Sequence, residues 1–413
     1  MIFRKKPLLW ASLLLLSICS YGQTNRQQSY EFVNGQWFDG QKFVATTFYS
    51  VDGKLTTKRP QQIDKTFDLT GKFIVPPFGE AHNHNVSSAY TLNEETPRYF
   101  RAGIFYARMA SSIVPGVSTI KDKVNHPDTL DVIFGSPGLT RAGGHPEPLM
   151  RRLVSAGVIP GLDPDKLEGA THFIVDSIAE LNAKWSTILA SKPDFIKTML
   201  LFSTEADEAI PRAGLHPEVY REAVKRAHAS GLRVMTHVET AADFALAVDA
   251  GADEIAHLPG YSIQSALGIE AYKIDEEVAQ KASRQKTVVV TTCVFSRNNA
   301  QRLQQARAVQ IYNLRLLQRT GVRLAVGTDV TRSTALDEVK HLLDLGVFDN
   351  LTLLKMWCET TATTIFPGRK IGHLKEGYEA SFLVLSGNPI EDFKNVEKIE
   401  MRVKEGGILN LPK

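Results

Sequence analysis

The chain has 413 residues, 43% of them hydrophobic and 23% charged, with a formal net charge of +3. That balance excludes a disordered, highly charged polymer and offers no basic stripe suited to nucleic acid. The length accommodates one large α/β unit and a small accessory one.

The chain opens like an export signal. Arg4, Lys5 and Lys6 precede an apolar run from Leu8 to Ile18 that is short for a bilayer span, and Ser20 and Gly22 suit cleavage before Gln23. Residues 1–22 are therefore expected to direct the protein out of the cytoplasm, most simply to a periplasm. Cys19 invites a lipid anchor, but bulky Ile18 stands where such sites favour a small residue. No later segment reads as a membrane span. Of three cysteines, Cys293 and Cys358 remain after cleavage. Export permits a disulfide, yet a predicted core strand over 287–295 and a helix at Cys358 favour two buried thiols. Two cysteines cannot make a cysteine-based zinc site.

From Tyr30 to Thr70, short apolar runs alternate with Asn34-Gly35 and Asp52-Gly53, which predict hairpin turns. After residue 372 the pattern returns, with strands at Phe382–Leu385 and Ile399–Val403. Residues 28–75 and 372–413 are thus expected to form a small composite β-sandwich. Between them, over 76–371, strands alternate with helices, the signature of a parallel sheet with crossover helices. Pro217, Gly231, Gly251 and Gly321 mark helix starts and stops. Strands near residues 73, 117, 131, 194, 232, 254, 287 and 322 number eight, which predicts a (β/α)₈ TIM barrel with its site at the carboxyl ends of the strands.

Six residues able to hold a metal fall at or near those ends. His82 and His84 lie two apart on the first strand, so alternation turns both imidazoles to one side. Lys197 lies within the fourth strand, His237 ends the fifth and His257 the sixth, and Asp329 follows Leu324 to Thr328. Each has an ordinary reading alone: a core or surface histidine, a lysine paired with Asp194 or Glu205, an aspartate capping the next segment. Their joint occurrence in strand register carries the inference. His126, His172, His216, His228, His341 and His373 have no partners in register.

With these residues in place the chain resembles the amidohydrolase superfamily of metal-dependent hydrolases, closest to its imidazolonepropionase-like and prolidase-like branch. The resemblance runs through everything after the signal. It implies two divalent metals, most simply zinc. One would be held by His82, His84 and Asp329, the other by His237 and His257, with an N-carboxylated Lys197 bridging. Two departures stand out: Glu80 replaces the usual aspartate before the H-x-H, and Asn83 fills its middle place.

The resemblance further implies hydrolysis of an amide or peptide C–N bond in a small molecule such as a dipeptide, N-acyl amino acid or cyclic amide. The metals would acidify a bridging water, and Asp329 would take its proton and pass it to the leaving nitrogen. His145 and Arg141, in the Gly-rich segment Arg141–Pro148, are candidates for binding substrate, followed by Arg332 and Tyr90. A one-metal deaminase competes, although Thr240 stands where deaminases carry glutamate and Glu239 is expected on the other face. A non-catalytic binding protein on the same fold is the third reading, opposed by the cost of burying so many donors. The expected partner is a small molecule; homo-oligomerisation stays open.

Overall fold

The computed structural model of the protein describes residues 28–202, 212–264 and 266–411. The export-signal reading of residues 1–22, Cys19 and Glu205 lie outside them.

Both chain ends meet in one mixed sheet. Tyr30–Phe38 pairs antiparallel with Phe43–Val51 and parallel with Lys65–Asp68 and Phe73–Val75. Phe73–Val75 in turn pairs with Phe382–Leu385, which carries Ile399–Lys404. Aromatic contacts fasten this sheet, including Phe32 edge-on to Phe382 with ring centroids 4.9 Å apart. One expected turn is absent. Asn34-Gly35 does not reverse the chain; it forms a bulge within the single strand Tyr30–Phe38, where the register slips between Phe32 and Gly35. Asn34 takes a positive φ of 62° there, and a Cβ on Gly35 would lie 2.5 Å from Ile74. The true reversal follows Phe38, closed by Asp39 N–H donating to Lys42 O at 3.0 Å.

The rest of the described chain is α/β, with parallel strands linked by helices. Phe78–Asn83 pairs with Ile104–Met109, which pairs with Asp131–Phe134. Gly135 bridges to Phe195. From there the order is Phe195–Leu200, Arg233–Val238, Glu254–Ala256, Val288–Val290 and Arg323–Ala325, all parallel. Past this last strand the chain returns to the first: Ala81 N donates to Val326 O at 2.8 Å and Thr328 N to His82 O at 3.2 Å. Gly138–Thr140 and His172–Ile174 form an added parallel pair beside Phe195–Leu200.

Two expected strands are displaced. Pro76-Pro77 divides the run that begins at Phe73, since proline gives no ladder donor, and Phe78–Asn83 carries His82, with His84 just past its end. The strand expected near residue 117 is a short helix, Val114–Val117, with proline near its start. The second strand is Ile104–Met109, disguised by Arg108 in its middle. Arg108 is fully buried and donates to Glu254 Oε1 at 2.9 Å and to Thr364 O at 3.0 Å, so its charge is matched inside the core. The helices begin and stop near the expected marks: Ala241–Ala250 is capped by Thr240 and ends at Gly251 with φ 86°, and Leu303–Thr320 ends at Gly321 with φ 77°. The expected strand over 287–295 ends at Val290, and Cys293 lies in a 3₁₀ turn, Cys293–Asn298. Cys293 and Cys358 are both buried and free. No helix among the described residues is long and apolar enough to cross a membrane.

Candidate metal centre

The carboxyl ends of the parallel strands bring histidines from three strands against one aspartate. His82 lies in the strand Phe78–Asn83 and His84 one residue past its end, yet both meet one carboxylate: Asp329 Oδ1 lies 3.3 Å from His82 Nε2 and 3.2 Å from His84 Nε2. These three residues offer donor atoms within 4.8 Å of one another. The other carboxylate oxygen, Oδ2, faces His257 Nε2 at 3.9 Å. His257 Nε2 lies 2.9 Å from His237 Nδ1, and the His82 and His257 rings stand 4.6 Å apart. His82, His237 and His257 are buried, whereas His84 is exposed at the mouth.

The backbone is held in unusual shapes to achieve this. His257 has φ 79° and Asp329 φ 53°, in the left-handed region that side chains with a Cβ rarely adopt. Each follows the end of a strand, where the chain turns sharply enough to aim the side chain inward. Gly327 lets the Asp329 segment lie against His82, because a Cβ there would meet His82 N at 2.7 Å. Glu80 clamps the same junction, accepting from Thr328 N at 2.9 Å and from His82 N at 3.3 Å.

Electrostatics suit metal donors. Burial pushes the His82 and His237 imidazoles down to about 3, and holds His257 well below its ordinary value. All three rings therefore keep lone pairs at neutral pH. Burial alone would raise Asp329, but His82 and His84 outweigh it and hold the carboxylate well below the usual range. Lys197, in the strand Phe195–Leu200, is fully buried. Its Nζ has no hydrogen-bond partner among the described residues. Burial, opposed by Asp329 and reinforced by Arg108, brings its amine down to about 7. Its charge also acts on His82, His237 and His257, so the amine lies within electrostatic reach of the cluster. Pairing with Asp194 does not describe it: Asp194 instead accepts from Phe134 N at 2.7 Å, and Glu205, the other expected partner, lies outside the described residues.

The substrate-binding candidates separate. The His145 ring stands 5.2 Å from that of His237, and burial pushes it down to about 3. Arg141, on the same loop, donates to Arg212 O at 3.3 Å. Arg332 lies elsewhere, lining a cleft of about 300 Å³ with Arg98 and Arg101. Tyr90 is 74% exposed on the helix Ala89–Arg101. The histidines without partners in register have ordinary contacts: His228 meets Asp253 at 2.9 Å and His341 meets Gln310 at 2.9 Å.

One expectation is overturned. Glu239 does not turn to the far face. Residues two apart in extended chain share a side, and Glu239, one residue past the strand end at Val238, keeps the side of His237. Glu239 is buried with Oε1 3.5 Å from His237 Nε2. It accepts from the Tyr261 hydroxyl at 2.6 Å, and burial raises it to about 7. Tyr261 and Thr292 also join the site without prior notice; Thr292 Oγ1 lies 2.8 Å from His257 Nδ1. Nothing in the sequence pattern marks either residue, because each follows a strand end in irregular chain.

Residues 82–409 match the sequence model of the Amidohydrolase family, and the chain belongs to that family, whose class is hydrolysis of carbon–nitrogen bonds. Solved structures with the same fold include the A. niger ochratoxinase, at 18% identity over 92% of this chain and 95% of that one, with a TM-score of 0.72. A Xaa-Pro dipeptidase with methionine bound in its active site is 17% identical over 93% and 100%, with a TM-score of 0.71. Molinate hydrolase is 15% identical over 94% and 95%, with a TM-score of 0.74. No curated protein matches the sequence significantly.

Proposed function

We propose that the protein is an exported amidohydrolase that uses two divalent metals to cleave an amide or peptide bond in a small molecule. In this reading the eight parallel strands form a (β/α)₈ barrel, residues 76–371, beside a β-sandwich built from residues 28–75 and 372–413. The observation that carries it is the orphaned Lys197 amine among neutral imidazoles and one ionised carboxylate. An amine brought to about 7 is substantially neutral at physiological pH and able to attack carbon dioxide. The neutral amine forms the new N–C bond and releases one proton, leaving an anionic carbamate as an oxygen donor where the ammonium form would repel metal.

His82, His84 and Asp329 would hold one metal, His237 and His257 the other, with the Lys197 carbamate between them. Nitrogen donors mixed with carboxylate oxygens fit zinc. Bound there, two dications would lower the pKa of water and polarise a substrate carbonyl.

The protein's own groups do the rest. Asp329, held ionised, accepts a proton from the attacking water and returns it to the departing nitrogen. His145, its ring 5.2 Å from that of His237, would bind a substrate carbonyl, and Arg141 on the same loop a carboxylate. The dipeptidase and prolidase neighbours agree with a dipeptide or N-acyl amino acid, a likeness of fold that leaves the substrate to experiment. Turnover of one of these compounds by the purified metal-loaded protein, lost in Asp329→Asn, is the test. Silence across dipeptide, N-acyl amino acid and lactam libraries would count against the reading.

Deamination by a single metal keeps one supporting observation, the Glu239 carboxylate beside His237. Ammonia release from a heterocycle at one metal per chain would favour it.

A further inference from the structure

We propose that Glu239 and Tyr261 together fix the tautomer and orientation of His237, and so set the affinity of the metal that His237 shares with His257. The inference rests on the metal-centre reading above. Both residues are positioning residues, acting through the imidazole.

The hydrogen bonds leave little choice. A phenol has one proton to give. Tyr261 Oη lies 2.6 Å from Glu239 Oε1, the short distance of a charge-assisted bond to carboxylate. With its proton directed there, Oη can only accept from its second neighbour, His237 Nε2, at 3.2 Å. Glu239 Oε1 itself stands 3.5 Å from the same nitrogen. With Glu239 ionised, the His237 proton is therefore on Nε2, and the lone pair is on Nδ1. Just past the next strand, Thr292 Oγ1 bonds His257 Nδ1 at 2.8 Å. His257 Nε2 lies 2.9 Å from His237 Nδ1, a hydrogen bond in which Nε2–H donates to that lone pair. Loss of this one proton would free both inward nitrogens for a cation.

Tyr261 braces both rings at once. Its hydroxyl end holds His237, while its ring lies on the His257 imidazole with centroids 4.2 Å apart and planes 16° from parallel. The turn that presents Tyr261 is itself anchored. Asn313 Nδ2 donates to Pro259 O at 2.8 Å and Gln310 Nε2 to Gly260 O at 3.0 Å. Gly260 has φ 98°, and a Cβ there would meet Val309 at 2.7 Å. A carboxylate behind a metal-binding histidine raises the basicity of that ligand, and its loss ordinarily weakens metal binding 10- to 100-fold.

The test uses the full mature protein and two conservative variants, Glu239→Gln and Tyr261→Phe, which keep volume and the aromatic face. Cobalt(II) titration followed by its visible absorption reads the two metal affinities separately. Nitrogen-15 NMR of labelled histidine reads the His237 tautomer without metal. We expect each variant to weaken one metal about 10- to 100-fold, leave the other unchanged, and shift His237 toward a mixture of tautomers. Because the two side chains form one chain of bonds, the double variant should lose less than the product of the single losses. Two metals bound at unchanged affinity in both folded variants, or an Nδ1–H tautomer in the unsubstituted protein, would overturn this proposal alone. A protein that binds no metal under any condition would remove the metal-centre reading and the proposal with it.

Discussion

Gly327 and His82 approach so closely that a Cβ on the glycine would lie 2.7 Å from both the backbone nitrogen and the Cβ of the histidine. This contact joins the last parallel strand to the first and sets Asp329 against its two histidine partners. Gly327→Ala is expected to force the two segments apart by a few tenths of an ångström or more, because backbone is the obstacle. The protein should still fold, since the Glu80 clamp on Thr328 survives, but metal held by His82, His84 and Asp329 should weaken at least about 10-fold. Metal content after dialysis reads this directly. A variant retaining both metals at unsubstituted affinity would show that the close approach is incidental.

Asp329→Asn keeps an oxygen donor at the same place and removes the negative charge. The variant is expected to retain most of its metal and to lose about two to four orders of magnitude in turnover, the usual worth of a proton-transferring group. Steady-state kinetics on whichever amide the protein hydrolyses decide it. Near-unsubstituted kcat would transfer the proton-handling role elsewhere.

Lys197 makes a pH prediction for the metal-free protein. Its amine falls from 10.5 in the unfolded chain to about 7 in the fold, chiefly through burial. Between those values the unfolded state holds more protons, so stability must rise with pH across that window. Glu80 and Glu239, raised by burial to about 8 and about 7, act in the opposite sense, but their effect is spent by the upper part of the window. The buried thiols of Cys293 and Cys358 and the buried Tyr99, Tyr106 and Tyr261, all raised by burial, oppose the rise above about pH 8.5, so the Lys197 contribution is read as a difference between proteins. Between about pH 8 and 9.5 the stability of the unsubstituted protein minus that of Lys197→Met should rise with pH, on the order of one kcal/mol per unit. A pH-independent difference would mean that the amine is not held in an apolar setting.

Arg108, Glu254 and Arg233 form a buried charge cluster beneath the site, with both arginines also donating to Thr364 O. Arg108→Met leaves Glu254 with one cation in a dry interior. The expected loss is about 3–5 kcal/mol of folding stability, seen as a lower denaturant midpoint with an unchanged slope. A loss under about 1 kcal/mol would indicate that Arg233 alone satisfies Glu254.

The sequence was informative wherever regular periodicity governed a side chain. The two-residue spacing of His82 and His84 brings both to Asp329 although the strand ends between them at Asn83, and His237 lies near the end of a strand whose apolar run is plain. The helix stops at Gly251 and Gly321 were equally plain, since a left-handed cap calls for glycine. Legibility failed where a long-range partner overrode local character. Arg108 hid the strand Ile104–Met109 because its neutralising partner, Glu254, is distant in sequence. Asn34-Gly35 has turn chemistry, yet packing of Ile74 and Trp37 against Gly35 uses it as a bulge. Glu239 lies two residues after His237, the spacing that puts both on one side of extended chain, so its place beside His237 was legible and the far-face reading was mistaken. Tyr261 and Thr292 reach the histidines only through the path of the loops, which no periodicity encodes.

The central claim is that donors from five strands converge on a site for two metals with Lys197 between them. Elemental analysis of the purified protein, unsubstituted and Lys197→Met, after growth with zinc and bicarbonate, tests it most directly. The account predicts about two metals per chain in the unsubstituted protein and one or fewer in the variant, with a carbamate carbon visible by NMR from labelled bicarbonate. Equal metal content in the two proteins, with no carbamate signal, would contradict it.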